Sequence, residues 1–114
     1  MKAIQQSQIM FMIMDMNWNI TFCNQKCYQN NGYTDKEMIE KPFTTFYPFE
    51  LNQSFHNQIR ELRRIKKEWT GVLSCVTKEG ELMKEKASIS PLKDTSGFVT
   101  HFIKISEIYK SQDN

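Results

Sequence analysis

The chain has 114 residues, enough for one domain and little more. Hydrophobic residues make up 39% of it, with eight Phe and seven Met, which suffices for an ordinary globular core. Fifteen basic and 13 acidic residues leave a net charge of +2, so charge makes no general case for a nucleic-acid partner, and no run approaches the roughly 18 apolar residues of a membrane span.

The first residues lack the basic-then-apolar order of a secretory signal, so a cytoplasmic location without membrane insertion is expected. Cys23, Cys27 and Cys75 are odd in number and follow no repeated spacing. Free thiols in a reducing compartment are therefore expected, rather than a zinc site or a disulfide framework. Methionine fills irregular space, which suits either a cavity wall or a plain core.

In chain order, residues 1–8 read as a flanking segment. Met10–Asp15 is the first expected strand, Met16–Asn19 a turn, and Ile20–Cys23 the second strand, a hairpin without the favoured Asn-Gly pair. Asn24 stands where a helix cap is wanted, and Gln25–Gln29 would be a short helix stopped by Asn30-Asn31-Gly32. Thr34 with Glu37 forms a capping box for a second short helix ending near Lys41, before Pro42. The next connection carries Phe43, Phe46, Tyr47 and Phe49, of which several should face inward.

Leu51, Phe55, Ile59, Leu62 and Ile65 recur at helical spacing and predict a helix over about 52–66. Arg60, Arg63, Arg64, Lys66 and Lys67 read as its wet face. Trp69–Val76 is the third expected strand, residues 77–80 a turn, and Leu82–Ser90 the fourth strand, closed by Pro91. On that strand Met83, Glu85, Ala87 and Ile89 share one face. Residues 93–97 turn the chain into the last strand, Phe98–Ile105, and residues 109–114 read as a polar connector. The domain thus spans 9–108 as an α+β fold, five antiparallel strands with the helices on one face.

These residues also carry a family pattern. Ile20-Thr21-Phe22-Cys23-Asn24 leads into Gly32-Tyr33-Thr34 with Glu37-Met38-Ile39. Trp69-Thr70-Gly71, Lys78-Glu79-Gly80, Ile89-Ser90-Pro91-Leu92 with Asp94, and Gly97 before His101-Phe102-Ile103 follow. In this order and spacing the chain resembles a PAS domain from about Ile9 to Ile108. The resemblance implies a sensory or interaction module, usually part of a larger cytoplasmic signalling protein such as a two-component histidine kinase or a cyclic-dinucleotide enzyme.

The same resemblance bears on cofactors. In the light-sensing flavin branch a reactive cysteine stands where this chain has Phe43, and a phenyl ring forms no thioether adduct. In the haem branch an axial histidine lies on the long helix at about the position of His56, and neutral imidazole is a sound iron ligand. His56 adjoins the Phe55–Ile59 stripe yet sits about 100° from Phe55 around the axis. Redox-sensing flavin members carry a tryptophan matching Trp69, as do many members without cofactor, where it is a core aromatic.

No nucleophile–base pair, paired carboxylate or phosphate loop stands at useful spacing, so catalysis is not expected. An enzymatic alternative would need His56 or His101 as base. The principal expectation is a small apolar ligand, or none, between the long helix and the sheet. Its walls would be Ile13, Ile39, Phe43, Phe46, Phe55, Ile59, Trp69, Leu73, Ile89, Phe102 and Ile103. Occupancy would bias the packing of the last strand and the connector. The alternative is a cofactor-free homodimer: Met10, Met12 and Met14 share one strand face and Phe11 and Ile13 the other, so both faces look apolar. Residues 2–8 or a second copy would then cover the side away from the helices.

Overall fold

The computed structural model describes residues 8–65 and 67–109, and within them every side chain except those of residues 60 and 62–65. Five strands form one sheet: β1 (Met10–Asp15), β2 (Ile20–Cys23), β3 (Trp69–Val76), β4 (Leu82–Lys93) and β5 (Val99–Ile108). All neighbours are antiparallel, in the order β2-β1-β5-β4-β3. The helices α1 (Gln25–Asn31), α2 (Asp35–Met38) and α3 (Gln53–Ile65) and two 3-10 turns, Phe43–Thr45 and Phe49–Leu51, all fall between β2 and β3.

Strand parity decides what the helices cover. Met10, Met12 and Met14 stand opposite Ser106, Lys104 and Phe102 in the β1–β5 pair, and all six are buried. Phe11 and Ile13 alternate with the methionines on the far face, opposite Ile105 and Ile103. Leu73, Cys75, Ala87 and Ile89 extend the buried face across β3 and β4. Phe55 closes this core from α3, its ring centroid 4.9 Å from that of Trp69. Burying one such side chain contributes about 1.5–3 kcal/mol.

Polar side chains set the local boundaries. Asn24 Oδ1 accepts from Cys27 N at 3.3 Å and Phe11 N at 3.0 Å, while its Nδ2 donates to the Ile9 carbonyl at 2.9 Å. One amide therefore caps α1 and fixes the start of β1. Gly32, at φ 82°, ends α1 in the left-handed conformation that glycine adopts without strain. The capping box of Thr34 and Glu37 starts α2. Asn52 Oδ1 accepts from Ser74 N at 2.7 Å and its Nδ2 donates to Ser74 O at 2.9 Å, tying the chain just before α3 to β3.

Four boundaries differ from expectation. Helix α1 continues to Asn31, with Gly32 alone as the stop. Helix α2 ends at Met38, not near Lys41, because tertiary bonds replace helical ones: Glu40 N donates to Ile20 O at 2.7 Å and Ile20 N to Lys41 O at 2.9 Å. Strand β4 runs through Pro91 to Lys93. At Pro91 it is paired only with β5, since β3 begins at Trp69 opposite Ile89, and a strand with one open side tolerates a residue lacking N–H. Strand β5 reaches Ile108, which pairs with Glu85. Of the helical stripe, Leu51 is exposed, Phe55 is buried and Ile59 packs against the core. Leu62 and Ile65, like Arg60, Arg63, Arg64 and Lys66, lie outside the described side chains.

Candidate functional site

Between α3 and the sheet the space is largely filled by aromatic rings. The Asp15 carboxylate organises the β1–β2 turn by accepting from Asn17 N at 2.8 Å and Asn19 N at 2.9 Å. This turn holds Trp18 at φ 65°, a left-handed conformation uncommon for a bulky residue. The Trp18 carbonyl accepts from Phe43 N at 2.7 Å. Its indole stacks on Phe102, with centroids 4.1 Å apart and planes 8° apart, and meets Phe55 edge-on at 5.9 Å. Phe43 in turn stacks on Tyr47 at 4.2 Å. What remains open is a pocket of 210 Å³ lined by Asn17, Trp18, Pro42, Phe43, Thr44, Phe55, His56 and Ile59.

Of the expected wall residues, Phe43, Phe55 and Ile59 border this pocket, as does His56. Phe46, Trp69, Leu73, Ile89 and Phe102 are buried in the surrounding core, and half-buried Ile39 packs against it. Ile13 and Ile103 are corrections. They pair with each other on the face turned away from the helices, because the three methionines of β1 and Phe102 of β5 take the inner parity. Trp69 donates from Nε1 to Gln58 Oε1 at 2.5 Å, which fastens α3 to β3. His101 has the outer parity of β5, with Nδ1 3.1 Å from Thr100 Oγ1, and so does not meet His56.

His56 is half-buried, and its Nε2 is buried without a hydrogen-bond partner. Burial lowers its pKa from the ordinary value, only partly opposed by a bond to the Tyr47 backbone. The ring is therefore neutral near pH 7. With the Tyr47 backbone bond on one side and Nε2 unpartnered, the proton is assigned to Nδ1, the tautomer in which Nε2 carries a lone pair.

A second constellation lies deeper. Lys104, Glu85 and Tyr47 are fully buried, and Ser106 nearly so. The Lys104 ammonium donates to Glu85 Oε1, to Tyr47 Oη at 2.7 Å and to Ser106 Oγ at 3.1 Å. Tyr47 donates to Glu85 Oε2 at 2.6 Å and Ser106 to Glu85 Oε1 at 2.7 Å, so all three ammonium protons are used and both carboxylate oxygens accept. Burial is the largest single influence and favours neutral lysine, but the charge and hydrogen bond of Glu85, with smaller contributions from Cys27 and Cys75, together hold the Lys104 pKa above its ordinary value. The network ties the connection before α3 to the middle of β4 and β5. Sequence reading placed Glu85 among apolar neighbours on β4 but missed Lys104. The available signal was that Lys104 and Ser106 share the parity of Phe102.

On the opposite side, the outer sheet face carries Phe11, Ile13, Phe22 and Ile103, all half-buried, with Ile105 and Val72 exposed. Phe11 and Phe22 meet edge-on at 5.9 Å. Beside them runs an open groove of 530 Å³ whose lining includes Ile9, Thr70, Val72, Lys86, Ile105 and Tyr109. Of the stretch 2–8 suggested as a cover, all but Gln8 lies outside the described residues.

A family model described as the PAS domain matches residues 7–107. The chain belongs to the PAS domain family. A PAS domain from Colwellia psychrerythraea superposes on this PAS domain with a TM-score of 0.85 at 15% identity, covering 95% of this chain and 92% of that one. A light-oxygen-voltage domain studied with a flavin analogue gives 0.83 at 23% identity, covering 98% and 84%. An RNA-binding light-oxygen-voltage receptor gives 0.82 at 15% identity, covering 94% of this chain but 31% of the receptor. At such identities these likenesses establish the fold alone. No curated protein matches the chain.

The residues of this PAS domain do not fit a flavin or a haem in the packing observed. A pocket of 210 Å³ falls short of the ~300 Å³ at which small-molecule sites begin, and Trp18, Phe43 and Phe102 fill the adjoining space. Phe43, at the position of the flavin branch's cysteine, is buried against Tyr47. His56 has a free nitrogen, as an axial ligand needs, but the pocket beside it has no room for a porphyrin. Among the described residues no helix is long and apolar enough to cross a membrane.

Proposed function

We propose that this PAS domain is the sensory module of a cytoplasmic signalling protein, and that a small, largely apolar ligand enters between α3 and the sheet. The observation that carries this reading is the course of β5. Phe102 lies beneath Trp18 at the pocket, Lys104 and Ser106 follow on the same face, and the strand then runs out at Ile108. A ligand that favoured one packing of Phe102 over another would act on a strand leading directly to residues 109–114, the connector to an effector such as a histidine kinase or cyclic-dinucleotide enzyme. The reading assigns no catalytic step to the domain. Native mass spectrometry of protein purified from cells would identify a retained ligand, and an absorbance spectrum would reveal haem or flavin. Amide exchange of Val99–Ile108 with and without that ligand tests the relay, and unchanged protection would count against it.

The outer sheet face supports a second reading, a homodimer formed across Phe11, Ile13, Ile103 and Ile105. Its support is the apolar stripe those residues make on a face that none of the described helices covers. Sedimentation velocity should then show a dimer that Ile105→Glu dissociates. A wild-type monomer at every accessible concentration would defeat this reading.

A further inference from the structure

Trp18 combines three features that ordinary core packing does not require. Its backbone is held at φ 65°, where a bulky residue is strained and persists only if its surroundings over-determine it. Its indole provides a flat face on Phe102 and an edge to Phe55, the contacts a bound aromatic ring would use. It also borders the 210 Å³ pocket, so withdrawing the ring would join that pocket to the volume the ring now fills. The turn is pinned through its backbone by Asp15 and Phe43 N, so the indole can turn about its side-chain torsions while the main chain stays in place. His56 supplies the remaining element: it lines the same pocket, and its Nε2 is buried without a partner. A ligand N–H or O–H would satisfy that unpaired buried acceptor.

We propose that Trp18 is an exchangeable occupant of this site. A planar aromatic molecule of one or two rings, bearing one ring N–H or O–H donor, replaces the Trp18 indole on Phe102 and donates to His56 Nε2. This rests on the reading of the inner space as the ligand site and goes further by naming the ligand class and the side chain displaced. Trp18 would report occupancy by moving outward, while Trp69 stays fixed to Gln58.

The test uses the full chain labelled with 5-fluorotryptophan, the two signals being assigned with Trp18→Phe and Trp69→Phe, and free indole as the probe. Indole should move the Trp18 signal toward its solvent-exposed position and leave that of Trp69 nearly unchanged. 1-Methylindole, which lacks the donor, should bind about tenfold more weakly, a difference of about 1.4 kcal/mol. His56→Phe should abolish that preference. Trp18→Gly suits the left-handed backbone and vacates the space, so it should bind indole at least about tenfold more tightly than wild type. If Trp18→Gly does not fold, the wild-type titration decides alone. Absence of any Trp18 response up to the solubility limit of indole, or a response confined to Trp69, overturns the proposal. A co-purified ligand that alters β5 exchange without moving Trp18 overturns it while sparing the wider reading, whereas Trp18 displacement with unaltered β5 supports it and removes the relay.

Discussion

The buried Lys104–Glu85 pair offers the sharpest energetic test. Lys104→Met leaves the Glu85 carboxylate in a site with no access to water, its charge opposed only by the hydroxyls of Tyr47 and Ser106. Breaking such a pair from one side costs about 3–5 kcal/mol, a large share of the roughly 5–15 kcal/mol that holds a domain folded. With a urea m-value near 2 kcal/mol/M, the midpoint should fall by about 1.5–2.5 M. A double change with Glu85→Leu removes the stranded charge but orphans two hydroxyls, so it should recover only part of the loss. Adding Tyr47→Phe and Ser106→Ala removes every polar side-chain atom of the network and should recover most of it, since buried ion pairs seldom outperform well-packed apolar groups. Urea unfolding followed by circular dichroism measures all three variants. A midpoint shift below about 0.5 M for Lys104→Met, or a fourfold variant less stable than the single one, would refute the reasoning.

Gly71→Ala would place a Cβ 2.7 Å from the Trp69 ring, forcing the indole off its contacts with Phe55 and Gln58. A loss of about 1–3 kcal/mol is expected in urea unfolding, and none at all would mean that Trp69 is not held there. Asn52→Ala strands the backbone N–H and carbonyl of Ser74, at about 1–3 kcal/mol for each group left unpaired, and native-state amide exchange at Ser74 should rise accordingly. For His56 the folded pKa lies below the ordinary value, so the unfolded state binds more protons in that window. Stability should therefore fall as pH drops through about 6.5 and level off below the folded value, and His56→Gln should flatten that slope in urea midpoints taken across about pH 5–7.

Much of this fold was legible because local chemistry and strand period agree. Asn24, Thr34 with Glu37, and Gly32 mark helix ends by what their own atoms can do, and the Met10, Met12, Met14 alternation is unambiguous once one parity is chosen. That choice was the weak step. Phe102 and Ile103 are equally apolar neighbours, so β5 alone does not say which faces inward, and placing both on the pocket wall required two parities at once. Lys104 settles it, but only after its partner on β4 is known, because a lysine is buried only when paired. Trp18 was invisible for another reason. It sits in a turn, where polar or glycine residues are the rule, and only tertiary contacts with Phe102, Phe55 and Phe43 explain a bulky ring at φ 65°. Pro91 misled because a strand's tolerance of proline depends on whether a neighbour faces it, which local sequence does not encode.

In the proposed relay the inner site and the exit of β5 are mechanically joined through Tyr47, whose hydroxyl bonds both Lys104 and Glu85 and whose ring centroid lies 4.8 Å from the Lys104 ammonium. Residue-resolved amide exchange of Tyr47→Phe against wild type tests that join directly. Faster exchange is expected to concentrate at Lys104–Ile108, with the β3–β4 pairs at Val72–Cys75 unchanged. Equal protection throughout, or a uniform loss across all five strands, would contradict it.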